Sequence, residues 1–176
     1  FQRSIDLLER SGESLAAARA MSDLGCMHYL RGETDKAYDL YSQALEIQDG
    51  FGDIDGASKT LGDLGLIYQL KGDLDAAQDC FQKSMDGYER SGDARGVATA
   101  HMNLGLVEQL KGDWDHALTH FKAAIEAFEE LGDDCGVSAV QNNLGNLYAD
   151  MGDSLQATKH YSLSLDARRT LGDRHG

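Results

Sequence analysis

His116 and His120 stand four residues apart in the stretch "WDHALTHF". Two imidazoles at that spacing share one face of a helix and can chelate a metal ion. Zinc asks for three or four protein ligands, and no third is evident nearby in the sequence. Only stacking of distant segments would bring His160 to the pair. His120 also belongs to a periodic set with Leu40, Cys80 and His160, each 40 residues from the next. A position that accepts Leu and Cys reads as half-buried packing, so no metal is expected. Cys26, Cys80 and Cys135 lie more than 50 residues apart and form no CxxC pair. Neither a disulfide framework nor a structural zinc site follows from them, and free thiols are the expectation. No pattern marks Cys80 as an activated nucleophile, Ser, His and Asp fall into no catalytic arrangement, and no glycine-rich loop sits between a strand and a helix. The residues capable of chemistry thus point to no enzyme and no cofactor.

The spacing that turns the histidines into packing residues organises the rest of the chain. "DLGCMHYLRGE" from 23, "DLGLIYQLKGD" from 63, "NLGLVEQLKGD" from 103 and "NLGNLYADMGD" from 143 repeat one phrase every 40 residues. A fixed period of this length signals stacked supersecondary units. Small residues recur at Ala37, Ala77, Ala117 and Ala157, and aromatic ones at Tyr41, Phe81, Phe121 and Tyr161. Glycines punctuate each unit twice, as in the series beginning Gly32, Gly72 and the series beginning Gly52, Gly92. Between them run apolar positions at helical spacing with no proline in the chain, so each unit reads as two helices. Gly72 can supply a left-handed stop and Asp73 the cap of the next helix. Gly65 and Ala77 would let the paired helices approach, with Phe81 filling the space beside them.

The 176 residues are 41% apolar, ample for a core. A formal charge of −14 argues against nucleic acid, because displacing counterions from phosphates takes clustered Lys and Arg. Many of the 30 carboxylates fall at the Gly-Asp joints, among them Glu13, Glu33, Asp53, Asp73, Asp113, Asp133 and Asp153, where they can cap helices. No run of about 18 apolar residues suggests a membrane span, and no leader is evident, so a reducing cytoplasm is the expected location. The opening "FQRSIDLLER" reads as the middle of a helix cut from something longer.

Leu64-Gly65, Tyr68, Gly72, Ala77, Phe81 and Ser84, with their counterparts along essentially the whole chain, resemble the tetratricopeptide repeat signature. The usual unit has 34 residues and ends in proline, whereas this one has 40 and none, a variant that resembles the repeats of kinesin light chains and of cell-polarity scaffolds. His28 and Glu108 stand where other copies place tyrosine, and Met21, Leu61, His101 and Gln141 replace the customary tryptophan. The resemblance implies an all-α fold, a right-handed α-solenoid of stacked antiparallel helix pairs. It would be a single array over 1–176, with a partial helix at 1–11 and repeats at about 13–52, 53–92, 93–132 and 133–172.

The resemblance further implies a non-catalytic scaffold that holds a protein or peptide segment in a concave groove lined by the first helix of each pair. The groove residues would be Arg19, Lys59, Leu66 and Gln69 in the first two repeats. In the last two they would be Met102, Asn103, Leu106 and Gln109, then Asn142, Asn143 and Asn146. Asparagine both donates and accepts, which suits a peptide backbone. A clamp for a terminal carboxylate is not expected, since Asp63 would repel the anion. Neither nucleic acid nor membrane is an expected partner. The alternative reading is a regulatory or sensor arm of a larger protein, such as a transcription or signalling regulator. An uncapped array end would also offer an apolar face for self-association.

Overall fold

The computed structural model describes residues 13–174 of the chain. The partial helix expected at 1–11 lies outside them. Eight helices and no strand are present among the described residues. They are α1 (Ser14–Leu30), α2 (Thr34–Phe51), α3 (Ile54–Lys71), α4 (Leu74–Ser91), α5 (Ala94–Lys111), α6 (Trp114–Glu130), α7 (Asp134–Asp150) and α8 (Ser154–Arg174). The chain divides after Asp93 into two compact units, the first holding α1–α4 and the second α5–α8. In each unit consecutive helices pack as antiparallel neighbours. The first helices of adjacent pairs also touch, α1 with α3 and α5 with α7, so each unit has an inner layer and an outer one.

The joints explain why the helices stop where they do. Gly72 adopts φ 79°, a left-handed conformation open to a residue without Cβ. Its N–H donates to Gln69 O at 3.0 Å, and the N–H of Asp73 donates to Tyr68 O at 3.0 Å. These bonds satisfy the orphan carbonyls of α3. The Asp73 carboxylate then accepts from Ala76 N at 3.1 Å, opening α4. One aspartate therefore closes one helix with its backbone and starts the next with its side chain. Asp53, Asp113, Asp133 and Asp153 cap in the same way. The expectation fails at Glu13 and Glu33, which make no side-chain cap. Glutamate is one methylene longer, and Glu33 Oε2 reaches past the helix start to His28 Nδ1 at 2.6 Å and Lys36 Nζ at 2.9 Å.

Packing follows the small and aromatic series. A Cβ on Gly65 would lie 2.6 Å from Cε1 of Phe81, and one on Gly105 2.7 Å from Phe121. The ring edges lie against bare backbone, which fixes how closely α3 meets α4 and α5 meets α6. Phe81 and Phe121 are both fully buried. In the first unit Tyr41 and Ala37 pack under Leu64 and Ile67 of the following helix. In the second, Phe121, Ala124 and Phe128 pack with Val140, Leu144 and Leu147. Where alanine gives way to serine the hydroxyl is used. Ser84 Oγ donates to Ser58 O at 2.7 Å, and Ser138 and Ser164 meet at 3.1 Å, each serine acting through the backbone or hydroxyl of the facing helix.

Candidate functional site

The residues singled out from sequence lie on the inner helices of the two units. In the first unit Arg19 on α1 and Lys59 on α3 are exposed, and Leu66 and Gln69 half-buried. In the second, Met102, Asn103, Leu106 and Gln109 on α5 and Asn142 and Asn143 on α7 are half-buried, and Asn146 is exposed. None of the eleven is buried core. Met102 and Leu106 nonetheless pack against the core of the second unit with part of their surface. Gln109 bridges the two inner helices, its Nε2 donating to Asp150 Oδ2 at 2.6 Å. Asn146 is engaged within its own hairpin, its Oδ1 accepting from the Tyr161 hydroxyl at 2.8 Å.

The inner face of the first unit carries a cleft of about 390 Å³ between α1 and α3. Its floor is polar: Ser22 and Thr60, both buried, share a hydrogen bond of 3.1 Å, and the Gln48 amide, only 2% exposed, reaches Thr60 Oγ1 at 2.8 Å once its oxygen and nitrogen are oriented to suit their neighbours. Arg19, Asp23, Asp53, Asp55 and Lys59 surround it. Asp53 uses Oδ1 to cap α3, and its Oδ2 is buried without a hydrogen bond. One turn beyond Lys59, burial pushes the carboxyl of Asp63 up to about 6, with Lys59 lowering it and Asp23 raising it further. Sequence reasoning weighed Asp63 as an exposed inner position that would repel an anion, and Asp53 as a cap. Their burial was not visible in the residue types.

The histidines pair across helices and not along one. His120 Nδ1 faces His101 Nδ1 on α5 at 3.0 Å, while His116 Nδ1 turns to Asp113 Oδ2 at 2.7 Å. His160 Nδ1 meets Gln141 Oε1 at 2.6 Å, and its ring stacks on Tyr148. Both cross-hairpin pairs are 19 residues apart, as are Leu61 and Cys80, so the signal lay in the offset between paired helices. Burial lowers the pKa of His120, helped by the neighbouring His101 and His116, and burial does the same to His160. Among the described residues no three His, Cys, Asp or Glu side chains converge as metal ligands. None of the described helices is long and apolar enough to cross a membrane.

A family model described as the tetratricopeptide repeat matches residues 56–130. No curated protein sequence matches the chain. Among solved structures, BtubC (BKLC) from P. vanneervenii superposes with a TM-score of 0.82 at 24% identity, over 96% of this chain and 71% of that one. The Rap protein complexed with Competence and Sporulation Factor gives 0.84 at 18% identity, over 97% of this chain and 49% of its own. MamA gives 0.67 at 17%, over 96% and 86%. At these identities the likeness speaks for the fold. In sequence the likeness to the tetratricopeptide repeat thus covers residues 56–130, and the described chain has the fold of a tetratricopeptide-like helical solenoid.

Proposed function

We propose that the chain is a non-catalytic scaffold that holds a protein or peptide segment against the inner helices, α1 and α3 in the first unit and α5 and α7 in the second. The observation that carries this reading is the contrast between side chains within each inner helix. Inner-layer residues such as Arg19, Lys59, Asn103, Asn142 and Asn143 keep exposed or half-buried side chains, while Leu64, Leu104 and Leu144 on the same helices serve the core. A row of amides and half-buried Met102 and Leu106 can hydrogen-bond a backbone and take an apolar side chain. The four helix pairs serve as repeats at about 13–52, 53–92, 93–132 and 133–172 of one array over 1–176, a 40-residue form of the motif. The setting proposed is cytoplasmic signalling, without nucleic acid, membrane or cofactor.

A displayed library of short peptides selected against the intact chain tests this directly. Binders should be lost, at unchanged thermal stability, in an Asn103→Ala, Asn142→Ala double variant. Retention of every selected peptide would remove the α5 and α7 surface from consideration. A second reading, a regulatory or sensor arm of a larger protein, draws on the likeness to the Rap structure and to aspartyl phosphate phosphatase F from Bacillus subtilis, of whose chains this one spans 49% and 42%. Self-association is proposed through α8, where Tyr161 is 38% exposed although its counterpart Phe121 is fully buried, and Leu165 stands beside it at 48%. Light scattering that shows the same mass at every concentration would exclude it.

A further inference from the structure

The two helix pairs of the second unit share one cross-hairpin contact and fill it differently. In the last pair Gln141 on α7 faces His160 on α8, its Oε1 lying 2.6 Å from Nδ1. In the pair before it the same two positions hold His101 and His120, whose Nδ1 atoms are 3.0 Å apart with ring centroids at 5.3 Å. These contacts respond differently to acid. An amide oxygen accepts at any pH, so Gln141 can take the Nδ1–H of His160 whether or not that ring is charged. Two imidazoles need one N–H and one lone pair between them. A first proton goes to the outer nitrogen of the donating ring and strengthens the bond by its charge. A second proton takes the remaining lone pair, leaving two N–H groups and two positive charges aimed at each other. In the first unit the same positions carry Met21 with Leu40 and Leu61 with Cys80, none of which gains a charge as pH falls.

We propose that His101 and His120 form an acid-operated latch between α5 and α6, which steadies the face of α5 that holds the bound segment and loosens it when both rings carry a proton. The inference rests on the scaffold reading above and adds to it how the site is regulated. Both rings are half-buried, so solvent screens their mutual repulsion only in part. Met102 and Asn103 directly follow His101 on α5, and Leu106 follows a turn later, so a shift of α5 against α6 moves the residues that would meet the segment. Burial, then the charges of His101 and His116, hold the pKa of His120 below its ordinary value. His116, one turn earlier on α6, is bound by Asp113 at 2.7 Å, which raises its own pKa, with further help from Glu108 on α5 and Asp115 on α6. It therefore charges first and adds to the repulsion. The other helix of this unit that packs against the hairpin, α7, turns apolar side chains and Tyr148 to the core, its acids Asp134 and Asp150 standing at its two ends.

The test uses the full chain. Imidazole nitrogen shifts followed against pH should show His101 and His120 titrating in two coupled steps more than about one pH unit apart. Between about pH 7 and about pH 5, hydrogen-exchange protection of the α5 and α6 amides should fall at least about tenfold, the equivalent of one pK unit. His101→Gln installs the arrangement seen at Gln141 and His160, and should lose no more than about threefold over the same range, since an amide still accepts from a charged ring. His120→Gln, which keeps an acceptor from the other side, is the second variant and should behave alike. Independent titration of the two rings overturns the proposal without recourse to any variant. So does protection in the parent that ignores pH, or a loss as large in a folded glutamine variant as in the parent. Selected peptides that need Asn103 and Asn142 should be held about fivefold more weakly at about pH 5 by the parent than by His101→Gln. Such peptides bound equally by the parent at both pH values would sink the latch and leave the scaffold reading standing. Peptides indifferent to the asparagines, on a chain whose α5 and α6 protection still follows the histidines, would strike the scaffold reading instead.

Discussion

Replacing Gly65 by alanine pits two effects of known sign against each other. In a helix interior the change favours folding by about 1 kcal/mol, since alanine loses less backbone entropy. The added Cβ, however, would lie 2.6, 2.8 and 2.9 Å from Cε1, Cδ1 and Cζ of Phe81, a ring that is fully buried. The ring must move, and overpacking of this sort costs about 1–3 kcal/mol. Net destabilisation of about 0–2 kcal/mol is expected. The same helix supplies the control. Gly62 sits three residues earlier on α3, and its Cβ would meet only Ser84 Oγ at 3.4 Å. Gly62→Ala should therefore stabilise by about 1 kcal/mol, leaving a gap of about 1–3 kcal/mol between the two variants in which propensity cancels. Urea titration followed by circular dichroism reads the gap, and hydrogen exchange of the α3 and α4 amides reads it locally. In a Phe81→Leu background the gap should shrink, because contacting sites are coupled. If Gly65→Ala proves as stabilising as Gly62→Ala, the ring is not held against the backbone and the account of helix approach is wrong.

Three further outcomes follow from the geometry. Asp73→Ala should cost about 1 kcal/mol through loss of the bond to Ala76 N, whereas Glu33→Ala, which removes no cap, should cost a few tenths; thermal melts that rank the two the other way would contradict the capping scheme. The carboxyl of Asp63 is raised in the folded chain to about 6 from its ordinary value of 3.8, so folding is favoured when it is protonated, and that contribution is lost as pH rises from about 4 through 6. Asp63→Asn should accordingly raise stability at pH 7 by up to about 3 kcal/mol and leave it unchanged near pH 3; an equal effect at both values would refute the assignment. His120 titrates in the opposite sense: its folded pKa lies below 6.5, the unfolded chain takes up the proton first, and stability falls as pH drops below about 6.5. His120→Leu, the residue found at position 40, should flatten that acid limb in a series of melts.

The period, the helix joints and the close approach of glycine to aromatic ring were readable because each is local or recurs at a fixed offset. Gly72 and Asp73 need only their own neighbours to stop one helix and start another. Gly65 and Phe81 are separated by the same distance in sequence as Gly105 and Phe121. What escaped were particular polar partners on a facing or preceding helix. His120 was compared with His116 along its own helix, although the imidazole that meets it, His101, comes from the opposite side of the hairpin. The capping role fails at Glu33 over a single methylene, which no periodic pattern encodes.

Asp53 and Asp133 carry that point furthest. Their identity, repeat position and bond to a glycine N–H are the same, so backbone geometry cannot account for one meeting its guanidinium at 2.6 Å and the other only at 3.6 Å. The difference resides in Leu15 and Arg95, 38 residues upstream of each aspartate. In an array built on one repeated cross-section, agreement between copies reports on packing, which every copy needs. Departures are where a surface can differ from its neighbour, because the scaffold beneath is held constant. A carboxylate oxygen that Arg95 meets at 2.6 Å in one copy, and that Arg19 from the next turn meets at 3.6 Å in another, is a departure of that kind.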